Sequence, residues 1–143
     1  FTLEKPQTWE GLDDDSVKVT MGTGVYTTHV NLTKQQAARV CQIDLGDVRE
    51  SARVYINGTF IGCAWAVPFI LDCENRFKAG ENVIRIEVTN LPANRIADYD
   101  RRGIPWRKME EINVVDINYK RTSYANWEPV PSGLNAPVTL ILR

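Results

Sequence analysis

The chain is poor in the residues that most often carry chemistry. Its 143 residues include one histidine, His29, and three cysteines, Cys41, Cys63 and Cys73. A lone histidine excludes a histidine-rich metal site. Three cysteines without a CxxC spacing argue against a disulfide framework and against a thiolate zinc site. The reading that follows is of buried free thiols in strands, with one disulfide plus a leftover thiol as the alternative. Charge of either sign is not in excess: 17 basic residues against 18 acidic ones leave a net charge of -1. That balance gives no electrostatic case for nucleic acid or an anionic membrane as partner. No apolar run approaches a membrane span, and no signal peptide is visible. The first residue is Phe1 rather than Met, which suggests a processed or excised piece.

What the chain has in quantity is period-two alternation. Val17-Lys18-Val19-Thr20-Met21 alternates, as do Tyr26 to Leu32, Cys41 to Leu45, Ala52 to Ile56, Ile84 to Val88 and Val138 to Leu142. Such runs put one face on a core and the other toward solvent or a second layer. Several of them separated by turn residues predict an all-β sandwich or barrel, formed as a single domain over 1–143. Asn57-Gly58 between Val54-Tyr55-Ile56 and Thr59-Phe60-Ile61 predicts a two-residue hairpin. A type I′ turn needs positive φ at both positions, and Asn-Gly tolerates this best. In that register Tyr55 faces Phe60 and Val54 faces Ile61. Ala52, Val54, Ile56, Ile61 and Cys63 then share the core face. Tyr55 and Phe60 pair on the outer face, which is expected to be covered or interfacial. Lys78 to Asn82 reads as a turn. The span from about 91 to 137 is polar, proline-rich and irregular, with a short helix expected in Ala93 to Arg102 and a helical turn or irregular strand in Met109 to Tyr119. A long irregular span in a compact domain is commonly functional or interfacial.

Motifs for catalysis are scarce. No GxSxG elbow occurs, and Ser132-Gly133 supplies only half of it. His29 lies between polar neighbours in a strand and reads as a surface or structural histidine. Glycoside hydrolysis needs two opposed carboxylates. Asp98, Asp100, Glu110, Glu111 and Glu128 all fall in the irregular span, yet no spacing forces a pair together, and solvated loop charges account for them equally well. Gly22-Thr23-Gly24 leads into a strand rather than a helix, so it is no phosphate loop. Asp13-Asp14-Asp15 offers hard oxygens for a structural calcium but lacks EF-hand spacing; a solvated acidic turn is the simpler reading, and no cofactor is expected. The loop aromatics are the most suggestive group. Trp65, Trp106, Tyr124 and Trp127, with Asn94, Arg95 and Asp98, could stack on sugar faces and bond sugar hydroxyls. The same rings serve equally to plug loops onto a core or dock a neighbouring domain.

Leu45-Gly46-Asp47-Val48, Ala52 to Gly58, Gly62, Trp65, Pro68-Phe69, Leu71-Asp72, Gly80-Glu81-Asn82, Ile84 to Asn90, Ala93-Asn94-Arg95, Ser132-Gly133-Leu134 and Pro137-Val138 together carry a family pattern. The chain from about Trp9 onward resembles the sugar-binding-type jelly-roll domain, galactose-binding-domain-like, that accompanies family 2 glycosidases and family 106 α-L-rhamnosidase-like proteins. Ala136 before Pro137 departs from the pattern, where relatives often have glycine. The resemblance implies a jelly-roll β-sandwich and a non-catalytic accessory module in the C-terminal part of a larger bacterial enzyme. It implies the parent's catalytic domain as partner, carbohydrate as ligand, and an extracytoplasmic, secreted or periplasmic location. Fold alone does not fix function. An autonomous carbohydrate-binding module and, remotely, a small glycosidase are the alternatives.

Overall fold

A computed structural model describes residues 1–108, 118 and 120–143. The expected strand or helical turn in Met109 to Tyr119 therefore lies outside the described residues, as do Glu110 and Glu111. The fold is an all-β sandwich. After a 3-10 turn at Trp9–Gly11 come helix α1 (Asp15–Lys18), strand β1 (Thr23–Leu32), helix α2 (Lys34–Arg39) and strands β2 (Val40–Asp44), β3 (Val48–Arg49), β4 (Ser51–Ile56), β5 (Thr59–Ala64), β6 (Ile70–Asp72) and β7 (Gly80–Thr89). Helix α3 (Ala93–Arg101) and strands β8 (Gly133–Leu134) and β9 (Thr139–Leu142) complete it. The antiparallel sheets have strand orders β1-β7-β4-β5, β6-β2-β9 and β3-β8. The core lies between the two larger sheets: Val54, Ile56, Ile84, Ile86 and Val88 from one meet Val40, Ile43 and Cys73 from the side of the other.

The Asn57-Gly58 hairpin forms, with φ of 50° and 81° at the two turn residues. Ile56 opposes Thr59 and Tyr55 opposes Phe60, but Val54 opposes Gly62 rather than Ile61, because a bulge intervenes. The extra residue shifts the rest of β5 by one position, which reverses the faces beyond it. Ala64 therefore enters the core opposite Ala52, Ile61 is only partly buried, and Cys63 is exposed. The expectation that Cys63 is a core residue is corrected accordingly. Gly62 lets Leu71 approach: a β-carbon there would lie 3.3 Å from Leu71 Cδ2. Tyr55 and Phe60 stack with centroids 5.3 Å apart. Arg53 and Arg85 lie over these rings, and Phe60 stays 48% exposed, so arginines rather than a second protein layer cover that face here.

The expected strand at Val17 to Met21 does not form. Asp14 accepts from the backbone N–H of Ser16 and Val17 and caps α1, which takes up Val17 and Lys18 instead. An aspartate N-cap satisfies orphan amides that a strand would have to pair elsewhere. Helix α2 starts on a Thr33–Gln36 capping box, a sequence signal that the alternation on either side obscured. Trp9 is buried between two glycines: a β-carbon at Gly24 or at Gly133 would come within 2.5 Å of its indole. Its Nε1 donates to Tyr26 Oη at 2.6 Å, which in turn accepts from Leu134 N at 3.1 Å.

The turn before β7 is held by Asn82, which has no exposed surface. Its amide donates to Lys78 O and Gly80 O, and its oxygen accepts from Lys78 N and Asn57 Nδ2. One side chain thus joins the turn to the Asn57-Gly58 hairpin. Asn82→Ala strands several of these buried groups at once and should cost about 2–3 kcal/mol in urea-denaturation midpoint measurements at unchanged slope.

Candidate functional site

The irregular span is organised by α3, whose Asn94 and Ala97 are buried. Asn94 Nδ2 donates to Glu10 Oε1 and Val130 O, both at 2.8 Å, and Asn94 Oδ1 accepts from Val130 N at 2.8 Å. Glu10 Oε2 accepts from Ser132 N at 3.0 Å. Asn90, at the end of β7, accepts from Gly22 N and donates to Thr20 O and Ser132 Oγ. These two asparagines tie the N-terminal segment to the segment before β8. Asn94, expected as a sugar contact, is committed to that scaffold.

On one side of α3 lies an open cleft of about 590 Å³ that Arg95 and Asp98 help to line. Arg102 Nη1 lies 3.2 Å from Asp98 Oδ2, and Arg95 Nη1 lies 3.8 Å from the same oxygen. Arg95 also lies over the Tyr99 ring, at 5.6 Å. Across the cleft Asp15 is paired with Lys18 at 2.8 Å. Each carboxylate on this surface already has a cation or an amide.

The other group is built around Asp100. Asp100 Oδ1 accepts from Trp106 Nε1 at 2.7 Å, and Oδ2 accepts from Tyr124 N at 2.8 Å. Arg107 forks onto both oxygens at 3.4 and 3.3 Å and donates to Thr122 O at 2.7 Å. The guanidinium lies over Trp106 at 4.4 Å and Tyr124 at 5.3 Å. Tyr124 stacks on Trp127 with centroids 4.4 Å apart and approaches Trp106 at 6.3 Å. Trp106, Tyr124 and Trp127 are thus gathered into one shelf, and Trp127, 50% exposed, offers ring surface to solvent. Arg107 was not foreseen. Its signal was its place directly after Trp106, within reach of the carboxylates on α3. Trp65 leaves the same end of the first sheet, since Ala52 pairs with both Ala64 and Val88. It stands two strands away from β7 at 77% exposure, and among the described residues no ring contact joins it to the shelf.

The remaining candidates are paired with near neighbours. His29 Nδ1 lies 3.0 Å from Glu81 Oε1 across β1 and β7, and both side chains are exposed. Asp14, in the acidic turn Asp13-Asp14-Asp15, is occupied by Ser16 and Val17, which hold its carboxyl below the usual range. Among the described residues no cluster of histidine, cysteine and carboxylate groups could hold a metal ion, and no helix is long and apolar enough to cross a membrane.

No family model matches the chain. The chain is similar to a rhamnosidase from Novosphingobium sp. PP1Y, at 30% identity and a TM-score of 0.74 over 94% of its length. It is also 29% identical, over 96% of its length, to a protein of Formosa agariphila named as a beta-glucuronidase. It spans only 12% and 13% of those two proteins. The beta-D-glucuronidase of Dictyoglomus thermophilum, 21% identical, shares the fold over 59% of this chain with a TM-score of 0.54, and that match covers 15% of the enzyme. What the chain resembles is a small part of larger glycosidases.

The amide of Tyr124 and the indole of Trp106 hold the Asp100 carboxyl below the ordinary aspartate range, and Arg107 adds to the effect. A carboxyl with a folded pKa below its unfolded one stabilises fully above about pH 4 and loses that contribution as pH falls through the depressed value. Tryptophan emission should therefore report loosening of the shelf in acid, below the normal aspartate range. Asp100→Asn should remove that step and leave an emission at neutral pH already shifted toward the acid form.

Proposed function

We propose that this chain is a non-catalytic accessory domain of a larger bacterial glycoside hydrolase, one β-sandwich in the C-terminal part of its parent, with the parent's catalytic domain as its partner. The observation that carries this reading is the proportion of the match. Nearly the whole chain aligns, yet with about an eighth of each larger glycosidase. The local chemistry supports it. Asp98 is held by two arginines and Asp100 by an arginine, an indole and an amide. A general acid needs a raised pKa and a nucleophile needs an open face; Asp100 has neither. The domain's work is to support and shape the catalytic domain. The galactose-binding-domain-like family and an extracytoplasmic location belong to this proposal.

A second reading, direct carbohydrate contact, is favoured by one feature. Asp100 and Arg107 engage Trp106 and Tyr124, and Trp127 stacks on Tyr124 while remaining half-exposed. A pre-formed aromatic face loses little side-chain freedom when a sugar ring settles on it. Asn94 belongs to the scaffold in this reading, Arg95 and Asp98 lie beside the cleft, and Trp65 would act separately.

Deleting this segment from a parent glycosidase should lower thermal stability and turnover together; a parent unchanged in both would refute the accessory role. For carbohydrate contact, glycan-array screening followed by calorimetry on the isolated domain is the direct measurement. Trp127→Ala should weaken any binding about tenfold or more. Binding that survives both Trp127→Ala and Trp106→Ala would place the sugar elsewhere.

A further inference from the structure

We infer that Cys41 and Cys73 are a redox-responsive cross-strand pair that closes into a disulfide between β2 and the residue following β6, leaving Cys63 as the free thiol. The pairing of β2 with β6 runs Asp44 to Ile70, Ile43 to Leu71 and Gln42 to Asp72. Continued one step, that register sets Cys41 directly opposite Cys73. The hydrogen bond from Cys73 N to Cys41 O, 2.8 Å long, confirms that the ladder does continue. Directly opposed residues in an antiparallel ladder point to the same face, with Cα atoms about 4.5–5.5 Å apart. Disulfides span Cα separations of about 4.4–6.8 Å, so the backbone need not rearrange.

All three cysteines are free thiols in the structure. Cys41 is half-buried, and its Sγ donates to Ile141 O at 3.4 Å. The pairing of β2 with β9 shifts between Val40 and Gln42, so Cys41 sits in a bulge on that side. A bulged residue is not locked into the β9 ladder, and its side chain can exchange Ile141 O for the sulfur across the strand. Cys73 is 1% exposed, and burial raises its thiol pKa to about 11. Cys73 alone is therefore a poor nucleophile at neutral pH, and the accessible Cys41 is where an oxidant enters. Cys63 lies on the other sheet, opposite Arg53, and outside this ladder.

The oxidant is a low-molecular-weight disulfide. The Cys41 thiolate attacks one sulfur of that disulfide, releases a small thiolate and forms a mixed disulfide. The Cys73 thiolate then attacks the Cys41 sulfur and releases the second small thiolate. One S–S bond breaks and one forms. The two protein thiols lose two electrons and two protons, and the small disulfide gains both as two thiols. Closure fastens β6, a three-residue edge strand, covalently to β2.

The test is thiol counting and peptide mapping of the whole chain after exposure to oxidised glutathione at mildly alkaline pH. In Cys63→Ser, titratable thiols in denaturant should fall from two to none, with a peptide linking Cys41 to Cys73 and a higher Tm that dithiothreitol reverses. Cys63→Ser should leave the link intact, and Cys41→Ser should abolish it. Two thiols remaining in Cys63→Ser, stable glutathione adducts there without a link, or a link through Cys63 in the unaltered chain would each overturn the proposal.

Discussion

The structure depends on how backbone polar groups outside the sheets are satisfied. Strands β1, β7, β4 and β5 satisfy one another, but among the described residues the segment before β1 and the one between β7 and β8 have no ladder of their own. Buried amides and carbonyls without partners are costly, so these segments need side chains that imitate a backbone. Asn90 and Asn94 supply them. Asn90 bridges Thr20, Gly22 and Ser132, and Asn94 bridges Glu10 and Val130. Four residues apart, they span the turn from β7 into α3 and fix where α3 lies. The cleft and the aromatic shelf both border that helix.

The two sides of α3 follow from this anchoring. Arg95 and Asp98 face the cleft, and Asp100 faces the aromatic shelf. Among the described carboxylates of the irregular span, Asp98 and Asp100 are each engaged by basic side chains. Asp100 gathers an indole, a tyrosine amide and a guanidinium, and the guanidinium then covers two rings. Asp98 draws two arginines together at the cleft rim. The Tyr124 amide and the Trp106 indole hold the Asp100 carboxyl below the ordinary aspartate range, which suits a positioning role. The similarity of nearly the whole chain to a small part of larger glycosidases accords with that chemistry.

Much of the fold was legible because its signals are local. The Asn57-Gly58 turn, the alternation in β1, β2, β4, β7 and β9, and the helix after Asn90 could all be read from neighbouring residues. What could not be read depended on long-range geometry. One bulged residue in β5 moved Cys63 from core to surface, and no local pattern announces a bulge. The alternation at Val17 imitated a strand, and the Asp14 cap outweighed it. At the candidate site, the aromatic residues were named from the sequence, but their grouping was not. Trp106 and the Tyr124 segment meet at Asp100, and Trp127 joins them by stacking on Tyr124. Asn94 is buried and bonded to Glu10 and Val130, a placement that no local pattern announces.

The proposed accessory role requires that the chain carry no catalytic pair of its own. Assay of the isolated chain against aryl glycosides, an α-L-rhamnoside and a β-D-glucuronide among them, measures this. No release of the aryl group above the uncatalysed rate is expected. Sustained release that disappears in Asp98→Asn would contradict the accessory role.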